Sequence, residues 1–245
     1  MQTAAAIIQA RCGSTRFPNK VFAEICGHPL IWHVVNRLKF AKNISTIVLA
    51  TTVNPLDDKL EMWATENGVK CFRGSENDVL NRYYEAAQTV SEEVIVRITA
   101  DDPFKEPHII DATIQKLNDE NLDFVCNNNP PTFPEGLDCE VFTKAGLAVE
   151  EMKSTSDFER EHVTQYFYHN PTSFKMANIS NSENLSYLRW TIDTETDFDM
   201  VKRIYKTLYK TDQEIFHMEE ILAFLKKNPD IAKMNSNVHR SAMYQ

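Results

Sequence analysis

The 245-residue chain is 42% hydrophobic and 10% aromatic, enough for a substantial core, and its formal net charge is −9. That balance repels nucleic-acid backbones and anionic membranes unless a local basic patch overrides it, so neither is an expected partner. No apolar run approaches membrane-spanning length, the N-terminus lacks the basic-then-apolar pattern of a signal peptide, and the five cysteines are widely spaced with no CxxC pair; a cytoplasmic chain with reduced thiols is expected.

In chain order, Ala4 to Ala10 is an apolar run of the kind a strand buried on both faces carries. It stops abruptly, and the next ten residues (RCGSTRFPNK) gather Arg11, Arg16 and Lys20 among small and hydroxyl side chains. Gly13 can take a backbone conformation closed to other residues, and Ser14 and Thr15 add hydroxyls. Successive loop N–H groups can hold an anion, and the arginines keep their charge at neutral pH. A polyphosphate suits such a loop; a solvated connection whose cations merely lie close in sequence suits the composition equally. The loop is neither a Walker loop nor GxGxxG. Cys12 sits among these cations, but no histidine is near it in sequence and a catalytic thiol is not expected.

Pro29 to Ala41 has apolar residues at helical spacing, with the proline suited to a first turn. Ser45 to Thr51 reads as a second buried strand, and Asn54-Pro55 with Asp57 and Asp58 as a helix start. Val69 to Arg73 is a third strand, Ser75 and Asp78 open a helix, Glu93 to Thr99 is a fourth strand, Pro107 starts a helix, and Leu122 to Cys126 is a fifth strand. Alternation with short links implies an α/β fold, a mostly parallel central sheet with helices on both faces. Ligands of such sheets bind at the carboxyl ends of strands. One rim should therefore hold Arg11 to Lys20, Thr51 to Asn54, Arg73 to Asp78 and Thr99 to Asp102.

The pattern changes at Asn127 to Gly136, a stretch of turn formers. Leu137 to Thr143 reads as a strand, Ser156 to His169 as one helix, and Ser173 to Ser180 and Leu185 to Ile192 as two more strands. We expect a single domain over residues 1–234, with an inserted lobe over 127–180 at the sheet edge, and a loosely ordered tail over 235–245. Asp101 and Asp102 close a strand, where one carboxylate can face the rim while the other caps the turn. In TIDTETDFD, Thr194 and Asp197 have the spacing of a capping box. Asp193 precedes the cap; beside Asp101 it would make a two-carboxylate site of the kind magnesium uses at a triphosphate. The seven histidines, His239 among them, show no metal-ligand spacing.

The stretches IIQARCGSTRFPNKVF, FRGSENDVLNRYYEAA, RITADDPF, PEGLDCEVF, SDFEREHVT and LRWTIDTETDFD resemble, in order, the cytidylyltransferases related to spore-coat polysaccharide synthesis proteins. That group is similar to the acylneuraminate and 3-deoxy-manno-octulosonate cytidylyltransferases. The resemblance implies a nucleotide-diphospho-sugar transferase (Rossmann-like) fold, Mg2+ as cofactor, CTP as donor and an acidic small-molecule acceptor. It places Arg11, Ser14, Arg16 and Lys20 at the triphosphate, and Asp101 and Asp193 at the metal. Gln9, Ala10, Gly13, Thr51, Arg73, Ser75, Asp78 and Thr99 complete the nucleotide-binding candidates. Arg11, Arg16, Lys20 and Asp101 are the catalytic candidates. Glu140, Arg160 and His162 fall in the acceptor region, although Arg160 could equally pair with Glu159 or Glu161 in solvent. Asn19 stands where the family commonly has glycine, which asparagine's tolerance of left-handed backbone allows. Relatives dimerise through the lobe, for which Tyr166, Phe167 and Tyr168 are candidates; packing of these rings on the sheet is the alternative. The rival functions are a glycosyltransferase of related fold and a degenerate nucleotide-binding module.

Overall fold

The computed structural model describes residues 2–238. Its centre is a seven-stranded sheet built from β1 (Ala4–Gln9), β4 (Ile44–Thr52), β5 (Lys70–Gly74), β6 (Val94–Thr99), β7 (Phe124–Cys126), β8 (Glu140–Thr143) and β9 (Met176–Asn178). The order across the sheet is β5-β4-β1-β6-β8-β7-β9. Strand β8 alone runs antiparallel to its neighbours, so the sheet is mostly parallel as the alternation implied. A two-residue ribbon, β2 (Glu24–Ile25) with β3 (His28–Pro29), follows the cationic loop.

The period of two in β1 divides the core. Ala4, Ala6 and Ile8 face one apolar cluster, which contains α1 (Leu30–Leu38), α2 (Asp58–Glu66), α4 (Pro107–Glu120), α8 (Glu195–Leu208) and α9 (Met218–Lys227). Ala5 and Ile7 face the other, with α3 (Val79–Gln88), α5 (Lys144–Lys153) and α7 (Gln165–His169). Two short helices remain, α6 (Asp157–His162) and α10 (Pro229–Ala232). With both faces covered, β1 has no exposed position from Ala4 to Ile8, and its end must deliver the next residues to the rim.

Several expectations change. Residues 127–180 do not stand apart from the sheet: β8 is wedged between β6 and β7, and β9 forms the edge. The helix expected from Ser156 to His169 is two helices, because Val163 at φ 66° and Thr164 break it. Leu185 to Ile192 is not a strand. It is held by single contacts, with Trp190 N–H donating to Glu135 O at 2.7 Å and Ile192 N–H to Asp101 O at 2.9 Å. Gly136 makes that passage feasible: its φ is +102°, and a Cβ there would lie 2.8 Å from Thr191 N. Phe167 packs inside on Phe124 and Phe142 rather than outward, and Tyr168 also turns in. The tail is not loose at its start, since Asn235 is buried and hydrogen-bonded to Arg189 O and Asp197. Residues 239–245, with His239, lie outside the described residues.

Candidate active site

A cleft of about 820 Å3 opens at the carboxyl ends of β1 and β6. One half of it is built by the loop after β1. That loop is held from below: Asp57 accepts from Cys12 N–H at 2.7 Å and also from the Thr52 hydroxyl at the end of β4. Asn19 closes the loop in left-handed backbone at φ 56°. Burial and the adjacent Asp57 push the Cys12 thiol up to about 12, so it stays protonated and is no nucleophile. Gln9, Ala10, Arg11, Ser14, Arg16 and Lys20 all line the cleft. Arg11 is exposed and in no ion pair among the described residues. Gln9 Oε1 is buried with no hydrogen-bond partner among them.

Asp101 and Asp193 come together although 92 positions apart in the chain. The Ile192 N–H to Asp101 O bond sets the two segments side by side. Lys20 Nζ then sits 2.8 Å from Asp101 Oδ2, 3.1 Å from Asp193 Oδ1 and 2.7 Å from Ile192 O. Burial disfavours the ammonium, but Asp101 and Asp193 outweigh it and hold Lys20 above its usual range. Burial likewise opposes the Asp101 carboxylate, and Lys20 reverses that, keeping it below the usual range. Arg16 Nη2 reaches Asp193 Oδ1 at 3.0 Å, and Arg189 Nη2 fixes Asp193 Oδ2 at 2.7 Å. Arg189 is in turn held by Glu135 and Asp197, and Thr194 with Asp197 forms the expected capping box of α8. Three oxygens converging on one cationic nitrogen form a hard donor set, which fits Mg2+ or Mn2+ rather than a thiophilic metal.

The other half is lined by Arg97, Lys105, Asp102, Asp138, Glu140, Arg160 and His162. Its cations are paired within the protein. Arg97 and Glu140 face each other across the antiparallel β6–β8 register and meet at 2.6 Å. Glu140 Oε1 also accepts from Thr164 Oγ1 at 2.9 Å and lies 2.7 Å from the Tyr168 hydroxyl. Lys105 pairs with Asp102 at 2.8 Å; burial, with Asp101 and Asp138 nearby, lifts the Asp102 carboxyl to about 6 despite Lys105. Arg160 pairs neither with Glu159 nor with Glu161. It spans to Asp78 at 2.7 Å and to Glu151 at 2.7 Å, tying α6 to the N-cap of α3. His162 is held below its usual range by burial, and is therefore neutral at pH 7.

Four expected nucleotide residues do not line the cleft: Gly13, Thr51, Arg73 and Ser75. Thr51 is fully buried, and Ser75 Oγ accepts from Asp78 N–H. Arg73 ties β5 to α2 through Asp58 and Glu61 at 2.7 and 2.9 Å. Asp78 and Thr99 do line it. Sequence reasoning passed over Arg82, Arg97 and Lys105. Arg82 lies in the DVLNRY motif, is 2% exposed, and is in no ion pair among the described residues; burial lowers its pKa. Arg82 and Arg97 are charged residues on otherwise apolar buried faces, which was the available signal. Away from the cleft, Glu106, His108 and His217 also gather. There Glu106 accepts from the N–H groups of His108 and Met218 and lies 3.8 Å from Arg37, so this group is a joint capping two helices.

A sequence model of the cytidylyltransferase family matches residues 5–237. The chain is 32% identical over 234 residues, 92% of its length and 95% of the relative's, to the spore coat polysaccharide biosynthesis protein SpsF of Bacillus subtilis. It superposes on a cytidylyltransferase from Leptospira borgpetersenii with a TM-score of 0.89 at 33% identity, covering 98% of this chain and all of that one (100%). A CMP:2-keto-3-deoxy-manno-octonic acid synthetase complexed with CTP shares the fold, with a TM-score of 0.63 at 16% identity over 84% of this chain and 99% of that one.

Proposed function

The chain belongs to the cytidylyltransferase family, and from that membership we propose that it transfers CMP from CTP to an acidic sugar or a phosphate or phosphonate acceptor, releasing pyrophosphate, in surface polysaccharide or glycoconjugate synthesis. The observation that carries the reading is the Asp101–Asp193 pair lying against Lys20 and Arg16 in one cleft. Anionic oxygens and fixed cations side by side are what a metal–triphosphate complex requires.

Arg11, Arg16 and Lys20 neutralise the β- and γ-phosphates and stabilise the departing pyrophosphate. Gln9, Asp78 and Thr99, which line the same cleft, would orient the nucleoside part. Asp101 and Asp193 would hold Mg2+, which polarises the α-phosphate and templates the triphosphate. Glu140, fixed by Arg97, Thr164 and Tyr168, and neutral His162 present the acceptor so that its oxygen attacks in line. No covalent enzyme intermediate is needed. A phosphate or phosphonate oxygen is already ionised; a sugar hydroxyl gains from a base.

A pyrophosphate-release screen of acidic sugars and phosphonates against the four nucleoside triphosphates tests the reading. CTP with one acceptor class should give Mg2+-dependent release. Release that needs an added nucleotide sugar would indicate a glycosyltransferase instead.

A further inference from the structure

The three oxygens best placed for a divalent ion already surround an ammonium. Lys20 Nζ is within 3.1 Å of Asp101 Oδ2, Asp193 Oδ1 and Ile192 O. Its side chain is 12% exposed, so water screens the contact little. Asp193 is in addition fixed on both oxygens, by Arg16 on Oδ1 and by Arg189 on Oδ2. A divalent ion entering this pair meets positive charge at contact distance, and the carboxylates' charge is already balanced. Arg16, whose side chain is 55% exposed, and Lys20 belong to the loop that faces the triphosphate. Arg189 is 5% exposed and locked to Glu135 and Asp197, so it stays.

We propose that Lys20 is a resident counter-ion of the Asp101–Asp193 pair, so that this site takes a divalent cation tightly only together with a polyphosphate that draws the lysine away. The inference rests on the cytidylyltransferase reading of the cleft and goes beyond it, since it sets the order of loading. Linkage makes the effect reciprocal: the cation tightens the nucleotide as much as the nucleotide tightens the cation. A ligand with two or more linked phosphates can hold Lys20 and Arg16; CMP, with a single phosphate, lacks the charge to compete with two carboxylates. Metal would therefore enter with CTP and leave with pyrophosphate.

The test is Mn2+ binding to the whole protein, with free Mn2+ followed by electron paramagnetic resonance, without acceptor. In the wild type, CTP or pyrophosphate should tighten protein-bound Mn2+ at least about tenfold and CMP should not. Lys20→Met and Lys20→Gln should bind Mn2+ at least about tenfold more tightly than the wild type in the absence of nucleotide, with a matching rise in Mn2+-induced thermal stabilisation. Lys20→Arg, which keeps the charge, should behave as the wild type. Nucleotide-free binding as weak in a folded Lys20→Gln as in the wild type would overturn the proposal, and so would wild-type binding that is equal with and without pyrophosphate. Asp193→Asn separates the two layers. If it leaves Mn2+ binding in the CTP complex unchanged, the metal does not use this pair and the site reading itself fails.

Discussion

The two halves of the cleft handle charge in opposite ways. On the side we assign to the donor, Arg11 and Arg16 reach into solvent from a loop, while Lys20 is enclosed. On the side we assign to the acceptor, Arg97, Lys105 and Arg160 each have a carboxylate partner, and the first two are buried. An exposed loop cation costs the fold little and is available to a ligand. A buried pair is part of the fold, and breaking it strands a charge away from water. Substitutions of the loop cations should thus change catalysis with little change in stability, and those that break the buried pairs of the other half should cost stability as well.

The sharpest break of that contrast would come from Asp101. Replacing it with Asn should reduce metal-dependent turnover by about 10³-fold while the melting temperature stays near the wild type's. Steady-state pyrophosphate release with a parallel thermal melt checks this, and near-normal turnover would remove Asp101 from the site. Next, Glu140→Gln should cost about 3–5 kcal/mol in urea unfolding, because it leaves Arg97 buried opposite a neutral side chain. A loss under about 1 kcal/mol would mean that water reaches that pair as it reaches exposed ones. Arg16→Ala should weaken CTP by about tenfold and CMP hardly at all, as calorimetry can read.

A gentler test uses pH. Glu150, buried on α5 where it accepts from Tyr166 N–H, has its carboxyl pushed up to about 8 by burial. The folded protein then holds a proton that the unfolded chain releases near 4.5. Stability from this group is complete below that value and declines as pH rises toward about 8. Glu150→Gln should flatten the decline in unfolding curves taken between pH 5 and pH 8. The smallest effect should be that of Arg73→Ala, with CTP affinity unchanged and stability altered by no more than about 1 kcal/mol, since its partners Asp58 and Glu61 are exposed.

What the sequence disclosed follows the same division. The donor loop is contiguous, so its chemistry can be read along the chain from Gln9 to Lys20. The parallel sheet follows from repeated strand–helix alternation, a local signal. Arg97 and Glu140 become partners only through the β6–β8 register, which no local pattern encodes. Arg73 misled for a related reason: an arginine at a strand end looks alike whether it faces the rim or the neighbouring helix. Leu185 to Ile192 has strand-like composition because Trp190 and Ile192 are buried, yet its backbone finds only isolated partners. Asp193 was legible as an odd acid ahead of a helix cap, and its meeting with Asp101 was not.

Asn235 gives that meeting a place in time. Its amide donates to Arg189 O at 3.0 Å and to Asp197 Oδ1 at 2.8 Å, and Arg189 holds Asp193. The cationic loop leaves the ribosome more than two hundred residues before the amide that braces the opposite wall. A nascent chain can therefore display these loop cations long before the carboxylate pair is braced.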